Sequence, residues 1–141
     1  MKNVQIKFIE CGLDELKFCA NRSFINVRRK KPVEIAPFIQ IQFENENKNL
    51  NVKMEISITG EKMPFHIEVK YRGVFSLITD NKVPENKLKK IVYINCAAIL
   101  YPFIREIIAE TTRKSNIPPF ILPPLNFENV YKQILGKKGK A

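Results

Sequence analysis

His66 is the only histidine in this chain, and there are three cysteines, Cys11, Cys19 and Cys96. For His66 to act as a general base, a nucleophile must lie within hydrogen-bond reach, and no motif around it supplies one. It occupies a polar, outward position in the alternating stretch from Phe65 to Arg72, where a histidine faces solvent or a partner. The cysteines lack CxxC spacing and have one histidine to join, which does not make a zinc site. At least one thiol is unpaired, and reduced thiols suit a cytoplasmic protein. Glu61, Glu68 and Glu106 are scattered surface carboxylates. With five glycines, there is no phosphate-cradling loop. No reactive set converges, so the expectation is a protein that is not an enzyme and needs no cofactor or metal.

The elements that carry these residues are read from apolar spacing. Val4, Ile6 and Phe8 alternate with polar residues as a half-buried strand, which Gly12 is expected to break. Leu13 to Arg22 is ambiguous, and Phe24 to Val27 is a short strand candidate. Ile39, Ile41 and Phe43 form a clear strand after Pro37, with a turn at 45–49. Val52, Met54, Ile56 and Ile58 form the next, and after a turn at 60–64, Phe65, Ile67, Val69 and Tyr71 the last. Three strands joined by short turns predict an antiparallel meander, apolar on one face.

Helices after Pro84 are its cover. Leu88, Ile91 and Val92 open a helical face, and Pro102 predicts a kink or a fresh helix start between Ala98 and Tyr101. Ile99, Phe103, Ile104, Ile107 and Ile108 then recur at three- and four-residue steps. That helix should end in the polar run 111–116, since Pro118 and Pro119 cannot continue it. Asn126 is a good N-cap for a final helix lined by Phe127, Val130, Tyr131, Ile134 and Leu135, with Gly136 closing it. The whole, 1–141, reads as one domain, with 136–141 a flexible basic tail.

Between the two helices, Pro118 to Leu125 holds Phe120, Ile121, Leu122 and Leu125 on a proline-stiffened backbone. A loop this apolar either seals the domain's own core or marks a contact surface. Net charge is +10, which fits a solvated lysine-rich surface or an acidic partner. Basic clusters at 28–31, 82–90 and 137–140 are not interleaved with an aromatic ladder, so nucleic acid is a weaker candidate. No apolar run of some 18 residues predicts membrane insertion, and the alternating N-terminus has no secretory core.

Cys96, Ile99-Leu100-Tyr101-Pro102-Phe103-Ile104-Arg105-Glu106, Pro118-Pro119 and Leu122-Pro123-Pro124-Leu125-Asn126-Phe127 resemble, in that order, the SecB family of protein-export chaperones. Phe65-His66-Ile67-Glu68-Val69 and Gly73-Val74-Phe75-Ser76 look like that family's central strand and the turn after it. The resemblance runs from about Val4 to Leu135. It implies an α+β fold, with a four-stranded antiparallel sheet covered on one face by C-terminal helices, and a homotetramer built as a dimer of dimers. It also implies an ATP-independent holdase in the cytoplasm, which keeps unfolded precursors competent for Sec-dependent export.

By the same resemblance, Ile39, Ile41, Phe43, Phe120, Leu122, Phe127 and Tyr131 match the client groove, though each could equally be core. Replacing Phe120 and Leu122 by serine is then expected to weaken client capture and spare assembly. Ile67 and Val69 match positions that influence assembly, and the apolar helix face Ile99, Phe103, Ile104, Ile107, Ile108 fits burial between subunits. Asp14 and Glu68 match the acidic patch that docks the zinc-binding tail of the motor SecA. A third acidic position falls at Cys19, and an apolar one at His66. The basic background and tail depart from the family's acidic habit and count against motor docking. The nearest alternative is a SecB-like chaperone dedicated to one client, as in toxin–antitoxin–chaperone systems. Outside this class stand a nucleic-acid-binding module and a purely structural oligomer.

Overall fold

A computed structural model of the chain describes residues 4–22, 37–60 and 63–139. The strand candidate 24–27 and the basic run 28–31 lie outside the described residues, as does the end of the tail. Four strands, β1 (Gln5–Ala20), β2 (Phe38–Glu46), β3 (Asn49–Ile58) and β4 (Phe65–Ile78), form one antiparallel sheet in the order β1-β4-β3-β2. The expected meander is β2-β3-β4, and β1 pairs with its last strand. α1 (Glu85–Lys90), a π-helical turn (Ile91–Cys96) and α2 (Ala97–Lys114) run on as one helix, and α3 (Phe127–Gly139) follows the proline loop. This is the α+β architecture the sequence implies.

Alternation explains β3 and β4. Leu50, Val52, Met54, Ile56 and Ile58 are buried, as are Phe65, Ile67, Val69, Tyr71, Phe75 and Leu77. Helical residues Val92, Cys96, Ala97, Leu100, Ile104 and Ile108 close the core from the other side. A two-residue turn with left-handed Asn47 and Lys48 (φ 49° and 66°) joins β2 to β3, a backbone pairing that matches the strands' twist.

Several expectations are corrected. Gly12 does not end the first strand, which runs 16 residues with register shifts at Phe8/Glu10 and Leu13/Glu15. Each shift inserts one residue and flips the strand's parity. Opposite the inward column of β4 therefore stand Ile6, Phe8, Cys11, Leu13, Leu16, Phe18 and Ala20. Simple alternation cannot follow that series. Nor does a turn fall at 73–76, because β4 runs through to Ile78. Pro102 lies inside α2, and the irregularity comes earlier, as the π turn. The last helix passes through Gly136 to Gly139.

The helix Glu85–Lys114 is long and apolar enough by composition to cross a bilayer, which corrects the expectation that no such stretch exists. One side of it is committed to the sheet. Its C-terminal end is well closed: Asn116 is left-handed (φ 60°), its N–H donates to the Arg113 carbonyl, and the Ile117 N–H donates to that of Thr112. Those two bonds form a Schellman cap within the polar run expected to stop the helix. Asn126 caps α3 as expected, its side-chain oxygen accepting the N–H groups of Glu128 at 3.0 Å and Asn129 at 3.4 Å.

A candidate peptide groove and a mixed-charge sheet face

Among the described residues β2 is an edge strand, bonded to β3 on one side. Glu46 and Asn49 flank the two-residue turn, so Glu46, Glu44, Gln42 and Gln40 bond to β3, since antiparallel pairs alternate. Ile39, Ile41 and Phe43 therefore turn their N–H and C=O groups to the open edge. One of those carbonyls has a partner: the Tyr93 hydroxyl, on the π turn, donates to Ile41 at 3.2 Å. Burial raises the Tyr93 pKa, which keeps that donor protonated. Tyr131 of α3 meets the Tyr93 ring edge-on, with centroids 5.8 Å apart. Half-buried Ile39 and Phe43, with Tyr93 and Tyr131, thus border the β2 edge.

The other residues matched to the groove lie elsewhere. Phe120 is half-buried against Phe65 at 5.6 Å, toward the β1 end of the sheet, where Phe18 also stacks on Phe65. Leu122 is fully buried, and Phe127 is buried against Tyr101 at 5.3 Å. The proline loop is tied to α2 at three points. Arg105 donates to the Leu122 carbonyl at 2.9 Å, and the Tyr101 hydroxyl donates to that of Pro123. Thr112, the one buried polar residue among those described, accepts the Phe120 N–H at 2.9 Å while donating to the Ile108 carbonyl.

Of the residues matched to the oligomer interface, Ile67, Val69, Ile104 and Ile108 are buried within the monomer, and Ile99, Phe103 and Ile107 are half-buried. An uncovered apolar row lies on β1 instead, with Phe8 41%, Leu13 46% and Leu16 39% exposed. Phe103 adjoins it, stacked on Tyr71 and 6.4 Å from Phe8. Sequence reasoning missed this row because the bulges disguise it. It missed Tyr93 too, a tyrosine in a helix with no local signal of its role.

The sheet's open face carries Asp14, Glu68, His66 and Cys19, with Cys19 opposite His66 and Lys17 opposite Glu68. It is a lattice of both signs. Arg72 bonds Asp14 at 3.1 Å and reaches Glu10 at 3.7 Å, and Glu15 lies 3.1 Å from Lys17 and 3.3 Å from Lys70. Hydrogen bonds from Lys17 and then Lys70 hold the Glu15 pKa below its ordinary value. A hollow of about 330 Å³ beside them has a charged rim of Asp14, Glu15, Lys53, Glu55 and Lys70, with Met54 and Tyr71 also lining it. Burial pushes the Cys96 thiol up to about 12, which leaves it un-ionised and inert. Among the described residues, no three His, Cys, Asp or Glu side chains converge as metal ligands.

Fold and surfaces together give an α+β module with a strand edge, an exposed apolar row and a mixed-charge sheet face. The family described as preprotein translocase subunit SecB matches residues 19–138, and the chain belongs to that family. It is 38% identical over 78 residues to the protein-export protein SecB of Anaplasma phagocytophilum, a match covering 55% of this chain and 49% of that one. To the SecB of Afipia carboxidovorans it is 36% identical over 80 residues, covering 57% and 48%. The chain thus spans about half the length of the curated relatives it matches. Among solved structures, a Mycobacterium tuberculosis SecB-like chaperone in complex with a ChAD peptide from the HigA1 antitoxin superposes with a TM-score of 0.70. Identity is 15%, over 85% of this chain and 89% of that one. That likeness establishes the fold.

Proposed function

We propose that the chain is an ATP-independent chaperone that holds unfolded or precursor polypeptides and keeps them competent for Sec-dependent export. The open β2 edge bordered by aromatic side chains carries this reading. An edge strand offers main-chain bonds to any extended chain, and flanking apolar side chains add affinity without demanding a sequence. The protein works in the cytoplasm as a homotetramer, a dimer of dimers, and several weak sites on one assembly bind a long client tightly. The bare row Phe8, Leu13, Leu16 supports the assembly, because a monomer leaves it in water. Catalysis plays no part.

The test is light scattering during dilution of a denatured client. The protein should suppress aggregation at stoichiometric amounts without nucleotide, and Phe43→Ser, on the β2 edge, should weaken suppression while the assembled mass stays unchanged. Undiminished aggregation would remove the holdase reading. Equal suppression by Phe43→Ser would move the client site away from the β2 edge.

A second reading, a chaperone dedicated to an antitoxin or another single client, is favoured by the sheet face. Asp14 and Glu15 are already paired to arginine and lysine, which weakens a dock for the basic zinc-binding tail of SecA. Arg72→Ala releases Asp14 and Glu10, so it should tighten binding of the zinc-loaded tail peptide roughly two- to fivefold at low salt. The gain should shrink at high salt. Calorimetric titration of both proteins at two salt concentrations measures this. No binding by either, with aggregation still suppressed, would leave the dedicated reading.

A further inference from the structure

We propose that Tyr93 is a positioning residue that guards the β2 edge: its hydroxyl holds the Ile41 carbonyl, a client strand must displace it to pair along the whole edge, and Tyr131 passes that displacement to α3. This deepens the groove reading above and rests on it.

A strand added to β2 would run about 4.8 Å away and place a donor N–H about 2.9 Å from each outward carbonyl. The Tyr93 hydroxyl oxygen stands 3.2 Å from the Ile41 oxygen, at the distance such a donor would take. The carbonyl has a second lone pair, but the hydroxyl bond holds Tyr93 against the edge beside it. A client can therefore pair at Ile39 or Phe43 with Tyr93 in place, and at all three only when Tyr93 swings out. The π turn Ile91–Cys96 is what carries Tyr93 to the sheet edge, on a helix whose neighbouring residues, Val92 and Cys96, are fixed in the core. Wider turns of this kind recur at functional sites. Tyr131 rests edge-on against the ring, and α3 packs against this same turn, so a rotated Tyr93 cannot leave α3 where it was. No other aromatic pair among those described joins α3 to the π turn.

The test compares the native protein with Tyr93→Phe, binding a fluorescein-labelled 15-residue peptide of alternating apolar and polar residues. A counterpart peptide N-methylated on alternate backbone nitrogens is run beside it. Losing the hydroxyl should tighten binding of the plain peptide roughly three- to tenfold, the worth of one neutral hydrogen bond. The N-methylated peptide should gain nothing, since it has no N–H for the freed carbonyl. Hydrogen exchange across 127–139 should quicken in the native protein when the plain peptide saturates it. Tyr131→Leu, which keeps the hydroxyl but removes its support, should give part of the same gain. Equal or weaker binding of the plain peptide by Tyr93→Phe would overturn the proposal and leave the groove standing, as would an equal gain for both peptides. Failure of the native protein to bind either peptide would remove the groove reading itself, and this proposal with it.

Discussion

Leu122→Ser should cost about 4 kcal/mol of folding stability, the sum of a buried leucine lost and a hydroxyl left without a partner. Leu122 is fully enclosed beneath the proline loop, and its own carbonyl is held by Arg105. Phe120, two residues earlier, is half-buried, and its N–H is secured by Thr112 whatever the side chain. Phe120→Ser should therefore cost no more than about half as much. Urea unfolding with unchanged slope, and midpoints far apart for the two variants, is the expected record. This alters the expectation that both serines would spare the assembly. Leu122 belongs to the fold, and a capture assay that includes its variant would score unfolding as lost binding. Midpoints that coincide would place both residues on the surface of the loop.

The second large effect is at Gly73, where Leu100 of α2 presses on the sheet. A Cβ there would stand 2.7 Å from a Leu100 methyl and 2.9 Å from the Phe75 ring. Both neighbours are fully buried, so neither can swing into open space. Gly73 does not have positive φ, so the glycine is needed for room, not for backbone freedom. Gly73→Ala should cost about 1–3 kcal/mol by overpacking, and Gly73→Val more. Leu100→Ala alone should cost about 2–5 kcal/mol, as a cavity does. The double variant Gly73→Ala/Leu100→Ala should cost clearly less than the two singles added, because each relieves the other. Simple additivity in thermal unfolding would mean the helix shifts instead of clashing.

Legibility followed regularity. β2, β3 and β4 keep strict two-residue alternation, and their spacing alone yields the meander and its buried face. β1 was half lost because its inward series, Ile6, Phe8, Cys11, Leu13, Leu16, Phe18, Ala20, takes a three-residue step at each bulge. Gly12 looks like a stop in the sequence, yet it pairs opposite Arg72 within a continuous strand. Helix ends were readable at Asn126 and in the polar run, where side-chain and left-handed caps use recognisable residues. The candidate groove was legible on its strand side and hidden on its helix side. No periodicity tells that Tyr93 reaches a carbonyl 52 positions back in the chain. The sheet face hid its charge balance for the same reason, as Arg72 and Asp14 meet only through pairing of β1 with β4.

The π turn also resolves a mismatch of phase. The buried row of the long helix falls at Leu88, Val92, Cys96, Leu100, Ile104, Ile108 and Thr112, always four residues apart. An ideal α-helix turns about 100° per residue, so a four-residue step overshoots by about 40° and six steps would carry the row roughly 240° around the axis. A helix of uniform pitch could not keep both ends of that row on one flat layer. The underwound turn at 91–96 takes up part of the excess in one place and lets Leu88 and Ile108 serve the same sheet. Deleting one residue within it would remove about 100° of rotation while the return to ordinary pitch would add about as much back, so both flanks would keep their phase. The helix thus works as a vernier, absorbing one extra residue without turning either end away from the layer it covers.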